Sequence, residues 1–306
     1  MRAKKANRKK LLIPEKKKKK IPDMIIGITG NTGKKEIYKI LDDIYQTLTD
    51  CKIETLVDVV FDKKKSKYIS KYYSLNSILK KSDYIISLGG DGTFLSTARK
   101  IGTKEIPILG INAGNLGFMS EFQPEELELF IKDLKTKNFR LSERNVIKSL
   151  MPDKSVIHGL NDIVIDRANS IRMIEIELSY NNEEVVKFVA DGIIISTPTG
   201  STGYSLSAGG PIVTLESNVI IATPICPHTL TVRPMIFPDT GVLKIKVNKK
   251  VMVRITADGQ TYKNFKAPVE FKIMKSEYKI KIVKRKHSNY FKTLNNKLFW
   301  GKDIRK

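Results

Sequence analysis

Apolar residues recur along this chain with two different periods, and the change from one to the other divides it. Met24-Ile25-Ile26-Gly27-Ile28 is an apolar run that predicts a buried strand. Within 34–48, Ile37, Ile40, Leu41, Ile44 and Leu48 keep the three-to-four spacing of an amphipathic helix. Further strands are predicted at Val57–Val60, Tyr84–Leu88 and Ile106–Ile111, with helical patterns such as Glu125–Leu134 between or after them. This alternation predicts an α/β domain with a mostly parallel sheet. From about Phe139 the period drops to two. Ile171–Leu178 alternates, Asn181-Asn182 supplies a hairpin turn, and similar patterns return at Leu243–Val247, Val251–Ile255, Val269–Ile273 and Tyr278–Val283. An all-β second domain is expected. The organisation is therefore read as an arm (1–22), an α/β domain (23–138), an all-β domain (139–284) and a C-terminal segment (285–306).

Two polar interruptions of this pattern carry chemistry. Gly89-Gly90-Asp91-Gly92-Thr93 follows the run Tyr84–Leu88, where a strand ends and a helix begins. Glycines there free the backbone to aim N–H groups at an anion and let a phosphate come close, and Asp91 stands among them as a candidate base. The same string is also an ordinary turn, with Asp91 as a helix cap for the segment starting at Thr93. The second interruption is Ser196–Ser207, which follows Gly192–Ile195 and is dense in small hydroxyl residues before it runs into Ala208-Gly209-Gly210-Pro211. It offers donors and acceptors with little bulk, suited to a polyhydroxylated or phosphorylated ligand, or else forms a Ser/Thr/Gly surface loop. Asn161-Asp162 is a third candidate, because an acceptor-only side chain beside an amide can grip vicinal hydroxyls, although such pairs are commonly turns or caps. Gly27–Lys34 fails as a P-loop: Ile28 stands where the first glycine belongs, and Lys35 replaces the magnesium-holding hydroxyl. It reads as a strand-to-helix turn whose backbone faces a nucleotide, with Asn31 as a site candidate.

Gly89 to Thr93, Asn115-Leu116-Gly117-Phe118, Asn161-Asp162, Asp191-Gly192 and Ser196 to Ser207, in that order and spacing, resemble an NAD kinase over residues 24 to 300. Pro227–Thr231 with Arg233-Pro234, Ala257-Asp258-Gly259-Gln260 and Phe291 through Trp300-Gly301 fit as well. The resemblance implies transfer of the ATP γ-phosphoryl group, or that of another phosphate donor such as polyphosphate, to the 2′-hydroxyl of the adenosine ribose of NAD. It implies Asp91 as the group that takes the hydroxyl proton, and Gly89, Gly90, Gly92 and Thr93 around the donor phosphates with Mg²⁺. Phe118 belongs to the same motifs. Asn161 and Asp162 would hold the nicotinamide-side ribose. Asp191, Thr199, Thr202, Gly203, Tyr204, Ser205, Leu206 and Ser207 would hold the adenine and the nicotinamide amide, with Gln260 and Arg172 as further contacts. Arg172 also reads as an exposed strand residue, and His228 as a structural histidine. The resemblance further implies a homo-dimer or homo-tetramer, and a C-terminal stretch around Tyr290 to Trp300 that returns to the α/β domain. The chain departs from the family at Gly203, where alanine is usual. Val189 occupies a position charged in some strictly NAD-specific relatives, so acceptance of NADH is open. A lipid kinase shares the first motif but not the later ones.

Composition narrows the field further. No stretch approaches 18 consecutive apolar residues, so no membrane-spanning helix is expected. Cys51 and Cys226 stand far apart without metal-ligand spacing, which argues against a disulfide framework or zinc site and for a cytoplasmic setting. The net charge is +23, and residues 1–20 hold 11 basic residues against the single acid Glu15. That arm lacks the apolar core of a secretory signal and the serines of a transit peptide. It is expected to be a solvated arm able to hold polyanions non-specifically, raising the local concentration of ATP or polyphosphate. A basic nucleic-acid-binding protein is the alternative from charge alone, without a recognisable nucleic-acid motif to support it.

Overall fold

The computed structural model describes residues 24–33, 36–61, 65–112 and 117–299. The basic arm, Lys34, Asn115-Leu116 and Trp300-Gly301 lie outside the described residues.

The N-terminal strands Ile25–Gly30, Glu54–Asp58, Tyr72–Tyr73, Tyr84–Leu88 and Ile108–Ile111 pair in parallel; the apolar runs predict four of them, with the second expected at 57–60, and do not mark Tyr72–Tyr73. In space, 84–88 and then 108–111 lie on one side of 25–30, while 54–58 and then 72–73 lie on the other. The chain thus builds outward in one direction, then returns and builds in the other. At such a reversal the loops leaving the two central strands diverge and open a crevice at the strands' carboxyl ends. Those loops are the turn after Gly30 and the glycine loop after Leu88. Helix Ile37–Asp50 buries Ile37, Leu41, Ile44 and Leu48 of the predicted stripe together with Tyr38, while Ile40 is only half-buried. Helix Leu75–Lys81 is capped by the Ser74 hydroxyl, which accepts the Ser77 N–H at 3.3 Å. Helices Asp91–Ile101 and Leu127–Thr136 complete this half.

The second half is built of antiparallel strands, some of which continue the first sheet while the others form a sheet of their own. Strand Val269–Arg285 pairs antiparallel with Leu243–Val247 and with Phe139–Leu150, and near its end Ile282 lies parallel to Ile108. One sheet therefore runs from the parallel strands into the antiparallel ones. The sequence predicts two strands, Val269–Ile273 and Tyr278–Val283, where the structure has one. The buried positions change phase within it: Phe271 and Ile273 are buried, then Tyr278, Ile280 and Ile282. An irregularity in the pairing with 139–150, between Lys275 and Lys279, absorbs the shift. Asn181 and Asn182 both take left-handed conformations, φ 50° and 72°, and turn the chain between Ile174–Tyr180 and Glu183–Ala190.

A second sheet of six strands has the order 235–238, 219–225, 192–196, 162–166, 252–257, 261–266 and is antiparallel throughout. Ile163, Ile165, Ile193, Ile195 and Ile255 pack against Ile176, Ile245 and Phe271 in a single core cluster. Period-two alternation turns Asp162, Val164 and Asp166 away from that core, onto the face where the site lies.

Candidate active site

Gly89 takes φ +148°, and a Cβ there would lie 2.5 Å from the Thr93 hydroxyl oxygen, so the loop's tight turn requires glycine. Helix Asp91–Ile101 starts with Gly90 at its cap, whose carbonyl accepts the N–H groups of Thr93 and Phe94. Asp91 sits in the first turn and does not cap the helix. Its carboxylate instead accepts the Phe118 N–H at 2.8 Å and the Met119 N–H at 3.2 Å. A Cβ on Gly117 would fall 1.9 Å from Asp91 Oδ1, so that glycine is needed for the carboxylate to lie flat against the segment. Phe118 enters the site by its backbone, and Asp91 is fixed in orientation by two donors.

The crevice at the sheet reversal is a cleft of about 400 Å³ lined by Gly30, Asn31, Thr32, Val60, Gly92, Thr93, Ser96 and Gln260. It is polar, bounded by small residues and placed at a helix N-terminus, where aligned amide dipoles favour phosphate. Asn31 caps its own turn, its side chain accepting the Gly33 N–H at 2.9 Å.

One wall is contributed from the other sheet. The turn Asp258–Gln260 joins strands 252–257 and 261–266, and Gln260 Nε2 donates to the Gly92 carbonyl at 2.6 Å. Two residues back, the Asp258 carboxylate accepts N–H groups from Leu160 (3.0 Å), Asn161 (2.7 Å) and Asp162 (3.3 Å). Asp258, Gly259, Asn161, Asp162, Val164, Thr256, Tyr204 and Tyr262 line a second cleft of about 580 Å³, closed at its far end by Asp166 and Arg254. The two clefts share this turn as a common wall. Asn161 Oδ1 and Gln260 Oε1 are buried with no partner, which protein interiors avoid and which a ligand hydroxyl would relieve.

The carboxyl of Asp162 is pushed up to about 7, by burial first and by the charge of Asp258 second. Asp258 is also raised, by burial, but three backbone donors and Arg99 oppose the shift. The pair therefore retains a proton near neutrality, and it resides on Asp162, since three backbone N–H groups stabilise the anion of Asp258.

The hydroxyl-rich loop packs on the same residues. A Cβ on Gly200 would lie 2.1 Å from the Asn161 carbonyl oxygen, so loop and pair are in backbone contact. Many of its hydroxyls hold the loop itself. Thr197 Oγ1 donates to the Leu160 carbonyl at 2.6 Å, Ser201 Oγ to the Pro198 carbonyl at 2.7 Å, and Ser205 is fully buried 2.9 Å from Thr223 Oγ1. Thr199, Thr202, Gly203 and Leu206 are half-buried, and Ser207 is exposed. Tyr204, 48 % exposed, lines the second cleft and a third of about 320 Å³ that also holds Asp191. Burial and nearby carboxylates, Asp166 foremost, raise its phenol, so it stays a donor. Asp191 pairs with Arg167 at 2.7 Å. Arg172 is exposed on the loop after 162–166 and lines none of these clefts. Asp258 is the residue that sequence reasoning left out of the site, although it lies within the quoted Ala257–Gln260 motif. The Asp166–Arg254 pair, at 3.1 Å, was also missed, and no local signal marks it.

A polar crevice on a glycine loop that shares a wall with a larger pocket lined by carboxyl, amide and phenol groups suits phosphoryl transfer to a small hydroxylated molecule. The family model described as the ATP-NAD kinase N-terminal domain matches residues 26–139, and that of the ATP-NAD kinase C-terminal domain matches residues 160–285. The chain belongs to the NAD kinase family. It is 41% identical to the NAD kinase of Bacteroides fragilis over 227 residues, 73% of this chain and 78% of that one. It is 34% identical to the NAD kinase of Flavobacterium johnsoniae over 293 residues, 92% of this chain and 100% of the relative. Among solved structures, yeast NADH kinase complexed with NADH superposes with a TM-score of 0.84 at 25% identity, covering 92% of this chain and 89% of that chain. An NAD kinase from Archaeoglobus fulgidus in complex with ATP gives 0.70 at 27%, covering 90% and 99%. The match to the C-terminal domain lies beyond the glycine motif that lipid kinases share, so a lipid kinase is not favoured.

Proposed function

We infer that this chain is an NAD kinase that moves the γ-phosphoryl group of ATP to the 2′-hydroxyl of the adenosine ribose of NAD, releasing NADP and ADP. The observation that carries this reading is the Asp258–Gln260 turn, which ties the glycine loop of Asp91 to the Asn161-Asp162 pocket. Donor phosphates fit the crevice beside Gly92 and Thr93. The dinucleotide fits the larger cleft, where Asn161, the protonated Asp162 and Tyr204 offer donors and acceptors to ribose hydroxyls and amide groups.

A secondary hydroxyl is a poor nucleophile, and a loose phosphoryl-transfer transition state asks the protein mainly for positioning and charge stabilisation. Asp91 is held by two amides on one side and takes the hydroxyl proton as the O–P bond forms and the β–γ bridge breaks toward ADP. Mg²⁺ supplies charge neutralisation on the donor. Among the described residues no group of three or more His, Cys, Asp or Glu side chains could hold a metal ion. Asp91→Asn keeps the size, loses the base and leaves one acceptor for the two amides. Its turnover, measured as NADP formed from ATP, Mg²⁺ and NAD, is expected to fall by roughly 10²- to 10⁴-fold with the KM for NAD little changed. Undiminished turnover would remove Asp91 from this role.

Three finer assignments belong to the same reading. We propose that NADH is accepted alongside NAD, as it is bound by the yeast NADH kinase to which the chain is similar, a reading the uncharged Val189 allows; substituting NADH in the assay tests this. A homo-oligomer covers Ile171, 95 % exposed beside the Asp191 cleft, and Leu230, 84 % exposed; light scattering gives the number of copies. The enzyme works in the cytoplasm, where the free thiols of Cys51 and Cys226 stay reduced. Among the described residues no helix is long and apolar enough to cross a membrane.

A further inference from the structure

The two amides that hold Asp91 belong to a segment that is itself clamped by a buried ion pair lining neither cleft. From Gly117 the chain runs through Phe118 and Met119 to Glu121 and Phe122. Phe122 is anchored to the parallel sheet: its N–H reaches the Gly110 carbonyl at 3.3 Å, and its carbonyl accepts the Asn112 N–H at 3.0 Å. Glu121 is anchored to the end of the long Val269–Arg285 strand. Its Oε2 lies 3.1 Å from Lys284 Nζ, an ion pair by distance whose angle falls short of a directed hydrogen bond. Its Oε1 accepts the Arg285 N–H at 3.3 Å. Both side chains are nearly enclosed, 10 % and 14 % exposed, whereas every other ion pair described here has at least one partner more than a quarter exposed. Arg285 extends the clamp, lying over the Phe122 ring at 5.2 Å and pairing with Glu126 at 2.6 Å.

An enclosed ion pair adds little to net stability, because desolvation offsets its attraction, so stability alone is a poor reason to keep one. What it does supply is a fixed geometry, and here the geometry is that of the donors on Asp91. We propose that Lys284, paired with Glu121, is a positioning residue for phosphoryl transfer: it sets the 117–122 segment so that the Phe118 and Met119 amides hold the Asp91 carboxylate at its working angle. The inference rests on Asp91 acting as the base.

Lys284→Met removes the charge and keeps most of the volume; Lys284→Arg keeps the charge; Glu121→Gln removes the partner. A misplacement on the ångström scale costs up to about 10²-fold in rate. In full-length protein, Lys284→Met and Glu121→Gln are expected to lower kcat by roughly 10- to 100-fold with the KM for NAD and ATP within about twofold, and Lys284→Arg to recover most of it. The decisive arm is the double variant Asp91→Asn with Lys284→Met. If Lys284 acts through Asp91, adding Lys284→Met to Asp91→Asn lowers the residual rate no further. A folded Lys284→Met with unchanged kcat, an equal loss in both backgrounds, or a rise in KM alone would each overturn the proposal. Should Lys284→Met not fold, Glu121→Gln carries the same test against Asp91→Asn. Full turnover in Asp91→Asn by itself would instead remove the base, a distinct failure.

Discussion

At the scale of single residues, Asp162 shows how the site keeps a carboxyl neutral. Asp258 lies close by and takes three backbone donors, so the negative charge settles there and the proton settles on Asp162, pushed up to about 7. In the unfolded chain the same carboxyl ionises near 4. Between these values the folded state binds a proton that the unfolded state has released, so this residue makes stability fall as pH rises from about 4 to about 7. Asp162→Asn abolishes that contribution and leaves every other titrating group in place. Urea unfolding at a series of pH values is expected to show a flatter decline for the variant over that window, with a raised KM for NAD. Parallel curves for variant and wild type would place the proton elsewhere.

At the scale of elements, contact between the hydroxyl loop and the Asn161 backbone is governed by two glycines three residues apart. A methyl on Gly200 would meet the Asn161 carbonyl oxygen at 2.1 Å, which only a displacement of the loop resolves, while one on Gly203 would meet the Gly200 carbonyl oxygen at 3.3 Å, a few tenths of an ångström from comfort. Gly200→Ala is expected to cost about 1–3 kcal/mol by overpacking and to raise the KM for NAD strongly. Gly203→Ala, which restores the residue usual in the family, should leave KM within about twofold, because no polar group changes. Equal KM values for the two variants would show that the loop does not support the pocket. Much at this scale was legible in the sequence. The runs at Tyr84–Leu88 and Leu243–Val247 give strands with those bounds, and Asn181-Asn182 gives its turn, because period and turn chemistry are local. The single strand Val269–Arg285 was not legible, since a phase change in its burial imitates two strands. Asp258 and Lys284 were hidden for another reason. Their partners lie 96 to 98 and 163 positions away in sequence, and an Asp-Gly in a turn or a lysine on a strand carries no local mark of what it meets.

At the scale of the whole molecule, the strand Val269–Arg285 makes the two halves mutually dependent. It lies against Leu243–Val247 at one end, and at the other Ile282 sits opposite Ile108, both buried to within 1 %. Removing everything after residue 138 would uncover the Ile108 end of the apolar strand Ile108–Ile111, whose other end stays paired with Phe122, and an exposed apolar strand edge is prone to aggregation. The reciprocal fragment would keep both antiparallel sheets but lose the surface that Val146, Tyr278, Ile280 and Ile282 share with Phe94 and Ile108. Cooperative unfolding of the intact chain follows from this sharing, even though the change of period near Phe139 divides the sequence. Far-UV circular dichroism and amide hydrogen exchange at Ile85 and Ile255 are expected to report one coincident transition. A fragment of residues 23–138 should show no cooperative transition of its own. If that fragment melted sharply at the midpoint seen for Ile85 in the full chain, the long strand would be a bridge between independent units, and the Lys284–Glu121 clamp at its end would have no route by which the second half steadies Asp91.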